Sequence, residues 1–465
     1  MTLIKSISGI RGTIGGKPGE NLTPLDAVKF AAAFGTMISN QFQGKKIKIV
    51  IGRDARQSGE LLNNLVVSTL ISLGIDVVDL GLSTTPTVEI AVAMENAKAG
   101  IILTASHNPK HWNALKLLNH RGEFISAAEG TEVLAISEKE NFHFVDIDAI
   151  GRHTTNETYM QKHIDAILKL PLVDIESIRK ADFKIVCDCV NSSGGIFVPA
   201  LLKALGVNTI KKLYCDPNGN FPHNPEPLPE NLTDIASVLK SGGFDLGIVV
   251  DPDVDRLALV CEDGSMFGEE YTLVAVADYV LQNTKGNTVS NMSSTRALRD
   301  VTEKHGGIYT ASAVGEVNVT EKMKKTNAII GGEGNGGIIY PALHYGRDAL
   351  VGIALFLSHL AQKNIKCSEL KASYPQYFIS KNKIELTPQI NVDEIIEQVA
   401  NKYKLQPTNK EDGLKIEFGK EWVHLRKSNT EAIIRIYSES ESEAKADQLA
   451  KMVMLDIRQF SVLAV

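Results

Sequence analysis

A serine, three alternating aspartates, a glutamate among glycines and a pair of arginines are the side chains of this sequence best placed to do chemistry. Ser106 closes the run Gly100-Ile101-Ile102-Leu103-Thr104-Ala105-Ser106-His107-Asn108-Pro109. The apolar part reads as a buried strand and the small polar residues before the proline as a sharp turn. A serine at the end of a buried parallel strand lies where open α/β sheets place their ligands. Asp251, Asp253 and Asp255 alternate directly after another apolar strand. Carboxylates so close repel unless a cation or basic group neutralises them, and oxygen-only ligands point to a hard ion, Mg²⁺ before Ca²⁺. An EF-hand loop does not fit, although Glu262 stands at its twelfth position, because Arg256 occupies the required glycine.

Two further loops suit a sugar phosphate. Gly332 to Gly337 sets Glu333 and Asn335 among four glycines, where a carboxylate and an amide can engage vicinal hydroxyls. Arg426, Ser428, Asn429, Thr430 and Arg435 combine guanidinium forks with small polar side chains, a pattern that cradles phosphate oxygens. Each loop alone also reads as an ordinary polar turn. Together they describe phosphoryl transfer on a sugar phosphate.

The elements that must position these loops alternate between strand and helix. Strands are expected at 46–54, where the strand enters a polar turn, and at 76–80, 100–103, 183–189, 209–214 and 244–250, with helical patterns between them, which implies parallel pairing. A third round includes strands at 288–291, 308–311 and 328–331 and a long helix from 347 to 361. From about 373 the texture changes to alternating strands and two helices, a separate α+β domain. The expected domains are 1–152, 153–256, 257–370 and 371–465.

Composition narrows the class. The chain has 465 residues, 43% apolar and 22% charged, with 49 basic and 55 acidic side chains and a net charge of −6. This argues against nucleic acid as the main partner. No apolar run approaches the roughly 18 residues that span a bilayer, so no membrane partner is expected. Residues 1–16 lack the apolar core of a signal peptide. Five cysteines, Cys187, Cys189, Cys215, Cys261 and Cys367, form an odd and sparse set that fits a reducing cytoplasm. Cys187 and Cys189 point to one face of a strand; two buried small side chains are the simpler reading, a metal pair the other.

The four loops, in this order, resemble those of the α-D-phosphohexomutases, the superfamily of phosphoglucomutase, phosphomannomutase and phosphoglucosamine mutase. Thr104-Ala105-Ser106-His107-Asn108-Pro109 matches the phosphoserine loop. Asp251-Pro252-Asp253-Val254-Asp255-Arg256 is similar to the metal loop, with Pro252 and Val254 in place of glycines. Ser8-Gly9-Ile10-Arg11-Gly12 resembles an N-terminal arginine loop and Gly52-Arg53-Asp54-x-Arg56 a first strand end. Lys116 stands where the family has a lysine shortly after the serine loop. The sugar loop departs: Asn335 and Gly337 replace the serine and histidine of many bacterial members, while Glu333 is kept. The resemblance implies three related α/β domains with mixed sheets and a smaller C-terminal domain around a central cleft. It implies a phosphorylated Ser106, a bisphosphorylated sugar intermediate and one Mg²⁺ on Asp251, Asp253, Asp255 and an oxygen at Ser106. His107, Lys116 and Arg11 are candidates for stabilising charge or moving the hydroxyl proton, and Arg256 for binding substrate. Phosphoglucosamine mutase is the first expectation for activity, with phosphoglucomutase/phosphomannomutase the alternative; a homodimer is compatible with both. The stretch Asp251-x-Asp253 also resembles the first motif of haloacid-dehalogenase-type phosphatases, in which Asp251 would be a nucleophile.

Overall fold

A computed structural model describes residues 2–6, 9–385, 391–427 and 433–463. The chain divides into two compact units, Met1–Val280 with Asn335–Leu370, and Leu281–Gly334 with Lys371–Val465.

The first unit holds two sheets. In the larger, the strand Lys48–Arg53 lies between Ala99–Leu103 and Asp76–Leu82, parallel to both. Ala99–Leu103 then pairs antiparallel with Trp112–Leu118, and that strand with Gly9–Thr13, so the sheet is mixed. Ile49, Ile51, Ile101 and Leu103 are fully buried, covered in part by Phe30, Phe34 and Met37 from the helix Pro24–Gln41. Each such side chain contributes about 1.5–3 kcal/mol on burial. The helix starts at a capping box in which Thr23 and Asp26 satisfy each other's backbone. Proline follows the cap, where its missing N–H costs nothing.

The second sheet runs Leu257–Cys261, Leu246–Val250, Lys184–Asp188, Thr209–Leu213. Leu246–Val250 is parallel to Lys184–Asp188 but antiparallel to Leu257–Cys261. The acidic run 251–256 is therefore the return of a hairpin, and the strand after it belongs to the same sheet. All five residues of Leu246–Val250 are buried, which fits a run without polar alternation. The segment 335–370 adds the helix Ala349–Lys363, whose first turn is capped by the Asp348 carboxylate on the N–H groups of Leu350 and Val351 at 2.8 and 3.3 Å.

In the second unit, Tyr309–Ser312, Asn287–Asn291 and Ala328–Glu333 pair in parallel. The texture change near 373 marks an antiparallel sheet of order Phe378–Glu385, Ile433–Ser440, Glu421–Lys427, Leu414–Phe418, Thr408–Asn409. Ile395 and Val399 of the helix Val392–Lys402 and Val453 of the helix Glu443–Leu463 pack on its Leu425 and Ile436. Arg299 meets Glu417 at 2.7 Å, and the indole Nε1 of Trp422 donates to Glu439 at 2.6 Å. The architecture is α/β with mixed sheets and a smaller C-terminal domain.

Candidate active site

Ser106 sits one turn beyond the strand Ala99–Leu103 with φ +47°, a left-handed backbone that side chains adopt at a cost of about 1–3 kcal/mol. Arg56 holds that turn. Its Nη2 donates to the carbonyls of Ser106 at 2.5 Å and Asn108 at 2.6 Å, and its Nη1 to those of Pro109 and Trp112 at 2.7 and 2.9 Å. The guanidinium is itself fixed by Asp54, with Nε 3.1 Å from Oδ2, and both side chains are fully buried. Thr104 donates to the same carboxylate at 2.6 Å and accepts from the Ser106 N–H at 3.0 Å. Asp54 thus organises Arg56 and Thr104, and these two organise the serine.

The Ser106 hydroxyl donates to Asp251 Oδ2 at 2.7 Å. Asp251 Oδ1 accepts from the N–H groups of Asp255 and Arg256, both at 3.1 Å, which curls the acidic loop around its own first carboxylate. Asp251, Asp253 and Asp255 are all fully buried, and one oxygen of each lies within 4.8 Å of the others. Three cations answer them. Lys116 Nζ lies 2.6 Å from Asp253 and 3.2 Å from Asp255, and Arg347 Nη2 lies 2.7 Å from Asp255. Arg256 stands 4.0 Å from Asp255 and 3.2 Å from Glu226. Thr85 donates to Asp253 at 2.5 Å.

These charges set the protonation states. Burial alone would depress Lys116, but Asp253 and Asp255 outweigh it and hold the ammonium above its ordinary value. Burial would raise Asp255, but Arg347, Lys116 and Arg256 hold it below the usual carboxylate range. Asp251 is pushed up, first by burial and then by its two acidic neighbours. His107 is lowered to about 2 by burial and by Arg256, so its imidazole is neutral; Nδ1 lies 3.4 Å from the Ser106 hydroxyl. Arg11 reaches the same turn through Asn108, at 3.5 Å.

One oxygen each of Asp253 and Asp255 is buried with no hydrogen-bond partner. An uncompensated buried carboxylate oxygen is costly. Two of them beside Asp251 and Ser106 form an oxygen-only set that fits a hard divalent cation.

The second unit carries the arginine loop and the Glu333 end of the glycine-rich loop. Glu333 is buried and its Oε1 accepts from Asn291 at 3.0 Å and from the Gly315 N–H at 3.1 Å. Arg426 and Arg435 are directly opposed across the antiparallel pair, so two guanidiniums share one face. Arg426 Nε lies 2.8 Å from Asp412. Ser428, Asn429 and Thr430 lie outside the described residues, as does Ser8. In the first unit, Asn335 turns inward on its own loop and accepts from the Gly337 N–H at 3.1 Å.

Thr85 and Arg347 contribute to the site without having been singled out, and Arg56 and Thr104 stood only as members of motifs, with no role given. Arg56 had a signal, the polar strand end Gly52-Arg53-Asp54-x-Arg56. Arg347 had none, since it precedes a helix cap like many surface arginines.

A clamped serine donating to one of three buried aspartates is the equipment of a phosphoryl-transfer enzyme. Four family models match in succession along the chain. They are phosphoglucomutase/phosphomannomutase alpha/beta/alpha domain I over residues 3–144, domain II over 161–264, domain III over 268–377 and the C-terminal domain over 383–455. The chain is 35% identical over 448 residues to a phosphoglucomutase/phosphomannomutase of Thermococcus kodakarensis, covering 95% of this chain and 96% of that one. It is 32% identical over 453 residues to a phosphoglucosamine/phosphogalactosamine mutase of Sulfurisphaera tokodaii, covering 95% and 96%. Among solved structures, a phosphoglucomutase/phosphomannomutase family protein of Burkholderia thailandensis superposes with a TM-score of 0.82 at 26% identity, covering 98% of this chain and 97% of that one. The chain belongs to the α-D-phosphohexomutase superfamily and is an intramolecular phosphotransferase of the isomerase class.

Proposed function

We propose that the enzyme moves a phosphoryl group between O6 and O1 of a hexose phosphate, with glucosamine phosphate as its preferred substrate. The observation that carries the chemistry is the Ser106 hydroxyl, held at 2.7 Å from Asp251 in a turn that Arg56 fixes through four carbonyls. Phosphorylated Ser106 gives its phosphoryl group to the free hydroxyl of the sugar. The P–Oγ bond breaks as the new P–O bond forms, and the proton lost by the sugar hydroxyl ends on Ser106 Oγ, with neutral His107, whose Nδ1 lies 3.4 Å from that oxygen, as the candidate carrier. The bisphosphorylated sugar then returns its other phosphoryl group to Ser106 Oγ. The Ser106 proton leaves at that step and ends on the sugar oxygen whose bond to phosphorus breaks, while the hydrogen bond to Asp251 Oδ2 orients Oγ for attack.

Mg²⁺, held by Asp251, Asp253, Asp255 and an oxygen at Ser106, would neutralise charge on the transferring group. Three carboxylates against Lys116, Arg256 and Arg347 leave the cluster near neutral. A phosphoserine brings a charge of about −1.5 to −2, which one divalent cation offsets. Lys116, held protonated between Asp253 and Asp255, acts as a fixed positive charge. Arg11 and neutral His107 border the serine turn, while Arg256 faces Glu226. Glu333 and Asn335 read the sugar hydroxyls. Arg426 and Arg435, with Ser428, Asn429 and Thr430, grip the phosphate that is not reacting.

Glucosamine is favoured because the Glu333 carboxylate can pair with a C2 ammonium, and because the Sulfurisphaera tokodaii relative carries the name of an amino-sugar mutase. The Thermococcus kodakarensis relative supports glucose or mannose phosphate as the second reading. A cytoplasmic location suits five free cysteines, and a homodimer is testable by light scattering. The deciding measurement is kcat/KM for glucosamine, glucose and mannose phosphates side by side. A clear preference for glucose or mannose overturns the substrate and leaves the mutase standing. Ser106→Ala should lose all but trace activity and the covalent phosphate, read by peptide mass; release of inorganic phosphate through an aspartyl-phosphate at Asp251 would instead support the phosphatase reading.

A further inference from the structure

The second sheet, which carries the acidic loop, also gathers three of the five cysteines. Cys187 lies in the strand Lys184–Asp188 and Cys189 follows it, so alternation puts both on one face. The neighbouring strand Thr209–Leu213 runs parallel, with Asp188 opposite Leu213, and delivers Cys215 to the same end of the sheet. Gly195, at the start of the helix Gly194–Ala204, makes the approach possible: a Cβ there would stand 2.3 Å from the Cys215 carbonyl oxygen. All three sulfurs lie within 4.8 Å of one another. Cys187 Sγ is 3.8 Å from Cys215 Sγ.

We propose that Cys187, Cys189 and Cys215 form a binding site for a thiophilic divalent cation, Zn²⁺. Two sulfurs sharing a zinc at about 2.3 Å each must stand roughly 3.8 Å apart in a tetrahedral arrangement, the separation found between Cys187 and Cys215. A disulfide would need about 2.05 Å. The donor set is sulfur alone, which selects zinc over the magnesium expected at the aspartates. Cys187 and Cys189 are fully buried, while Cys215 is partly exposed and gives the ion its way in. Thiolate rather than thiol is the ligand, so the thiol protons leave as the ion binds.

The site also has something to hold. Directly after Cys189, the hydroxyls of Ser192 and Ser193 donate to the Pro252 carbonyl of the acidic loop at 2.7 and 3.0 Å. Ser192 also accepts from the Ala55 N–H at 3.3 Å. A cation on the three sulfurs would brace the start of this loop.

The test uses the reduced full-length chain stripped of metal, titrated with Cd²⁺, whose bonds to thiolate give an ultraviolet charge-transfer band that carboxylates do not. One Cd²⁺ per chain should bind with that band. The band should vanish in Cys215→Ser and survive in the Cys261→Ser/Cys367→Ser double variant. In the wild-type chain Zn²⁺ should slow alkylation of Cys215, read by peptide mass, and raise Tm. Absence of the band, its survival in Cys215→Ser, or an alkylation rate unchanged by Zn²⁺ would overturn the proposal. Cys215→Ser should retain Mg²⁺-dependent activity, which keeps this test separate from the mutase reading.

Discussion

Arg56 shows how much of a catalytic turn can rest on one side chain that never meets the reacting atoms. Its four bonds to carbonyls and its pairing with Asp54 use the whole planar fork. A lysine keeps the charge but has a single ammonium and cannot reproduce that geometry. Arg56→Lys should leave buried carbonyls unsatisfied and cost about 2–4 kcal/mol in urea unfolding, with kcat falling more than tenfold because Ser106 is no longer held. A variant within twofold of wild-type kcat would show that the clamp does not position the serine. At this scale the serine loop and the aspartates were legible in the sequence because they occur together and in order, since each alone also reads as an ordinary polar turn. Val254 was readable only as a departure. Its φ of +62° shows why glycine is the usual occupant, and its complete burial shows what is gained in exchange. Left-handed backbone costs about 1–2 kcal/mol per residue, while burying a valine returns about 1.5–3 kcal/mol.

At the scale of elements, the substitution of Gly337 for the family's histidine has a partner. A Cβ on Gly337 would stand 2.3 Å from Cδ of Arg347, so the space a larger residue would take is filled by the stem of the arginine that reaches Asp255. Sequence reading could register the missing histidine but not the replacement, because the two residues meet where the chain turns back on itself, at the antiparallel bridge between Ile339 and Arg347. Gly337→Ala should displace Arg347, weaken Mg²⁺-activated turnover at least tenfold and leave secondary structure intact by circular dichroism. Normal activity would mean that Arg347 can reach Asp255 by another path. The opposed pair Arg426 and Arg435 makes a different case. Like charges directly across a sheet destabilise it unless an anion answers them; Asp412 pairs with Arg426 Nε, and a phosphate would answer the two guanidiniums together. Arg426→Ala should therefore lower kcat/KM for hexose phosphate by roughly tenfold to a hundredfold, from about 1.5–3 kcal/mol of charged hydrogen bonding, without lowering Tm. A fall in Tm with unchanged kinetics would reduce this face to a structural one.

At the scale of the whole molecule, the chain leaves the first unit after Val280 and returns to it for Asn335–Leu370. That crossing was not visible in the sequence, which reads as consecutive rounds of strand and helix. The returning segment is tied down by a buried polar relay. Thr87 meets His163 Nδ1 at 2.9 Å, His163 Nε2 meets Asp348 at 2.9 Å, and His344 lies 3.3 Å from both Asp348 and Glu89. Gly346 is required here, because a Cβ would stand 1.8 Å from the Glu89 carboxylate. Burial would lower His344, but hydrogen bonds to Asp348 and Glu89 outweigh it and raise the imidazole to about 10. Unfolded, a histidine titrates near 6.5. A group raised on folding contributes stability that is complete below its unfolded value and lost as pH climbs toward the folded one. Asp348 is shifted the other way: burial raises it, but His163 and His344 hold it below the carboxylate range, so its contribution is lost as pH falls into acid. The first unit should accordingly be most stable between about pH 4 and 6.5 as far as this relay is concerned. Between about pH 6.5 and 10 the unfolding free energy should fall by at most about 1.4 kcal/mol per pH unit, one proton's worth. Urea titrations across that window, compared between wild type and His344→Gln, isolate the effect, since glutamine cannot take the proton. The difference between the two chains should shrink as pH rises. A difference that stays constant from pH 6 to 10 would mean that His344 is neutral in the folded protein and that packing, not charge, holds the segment in place.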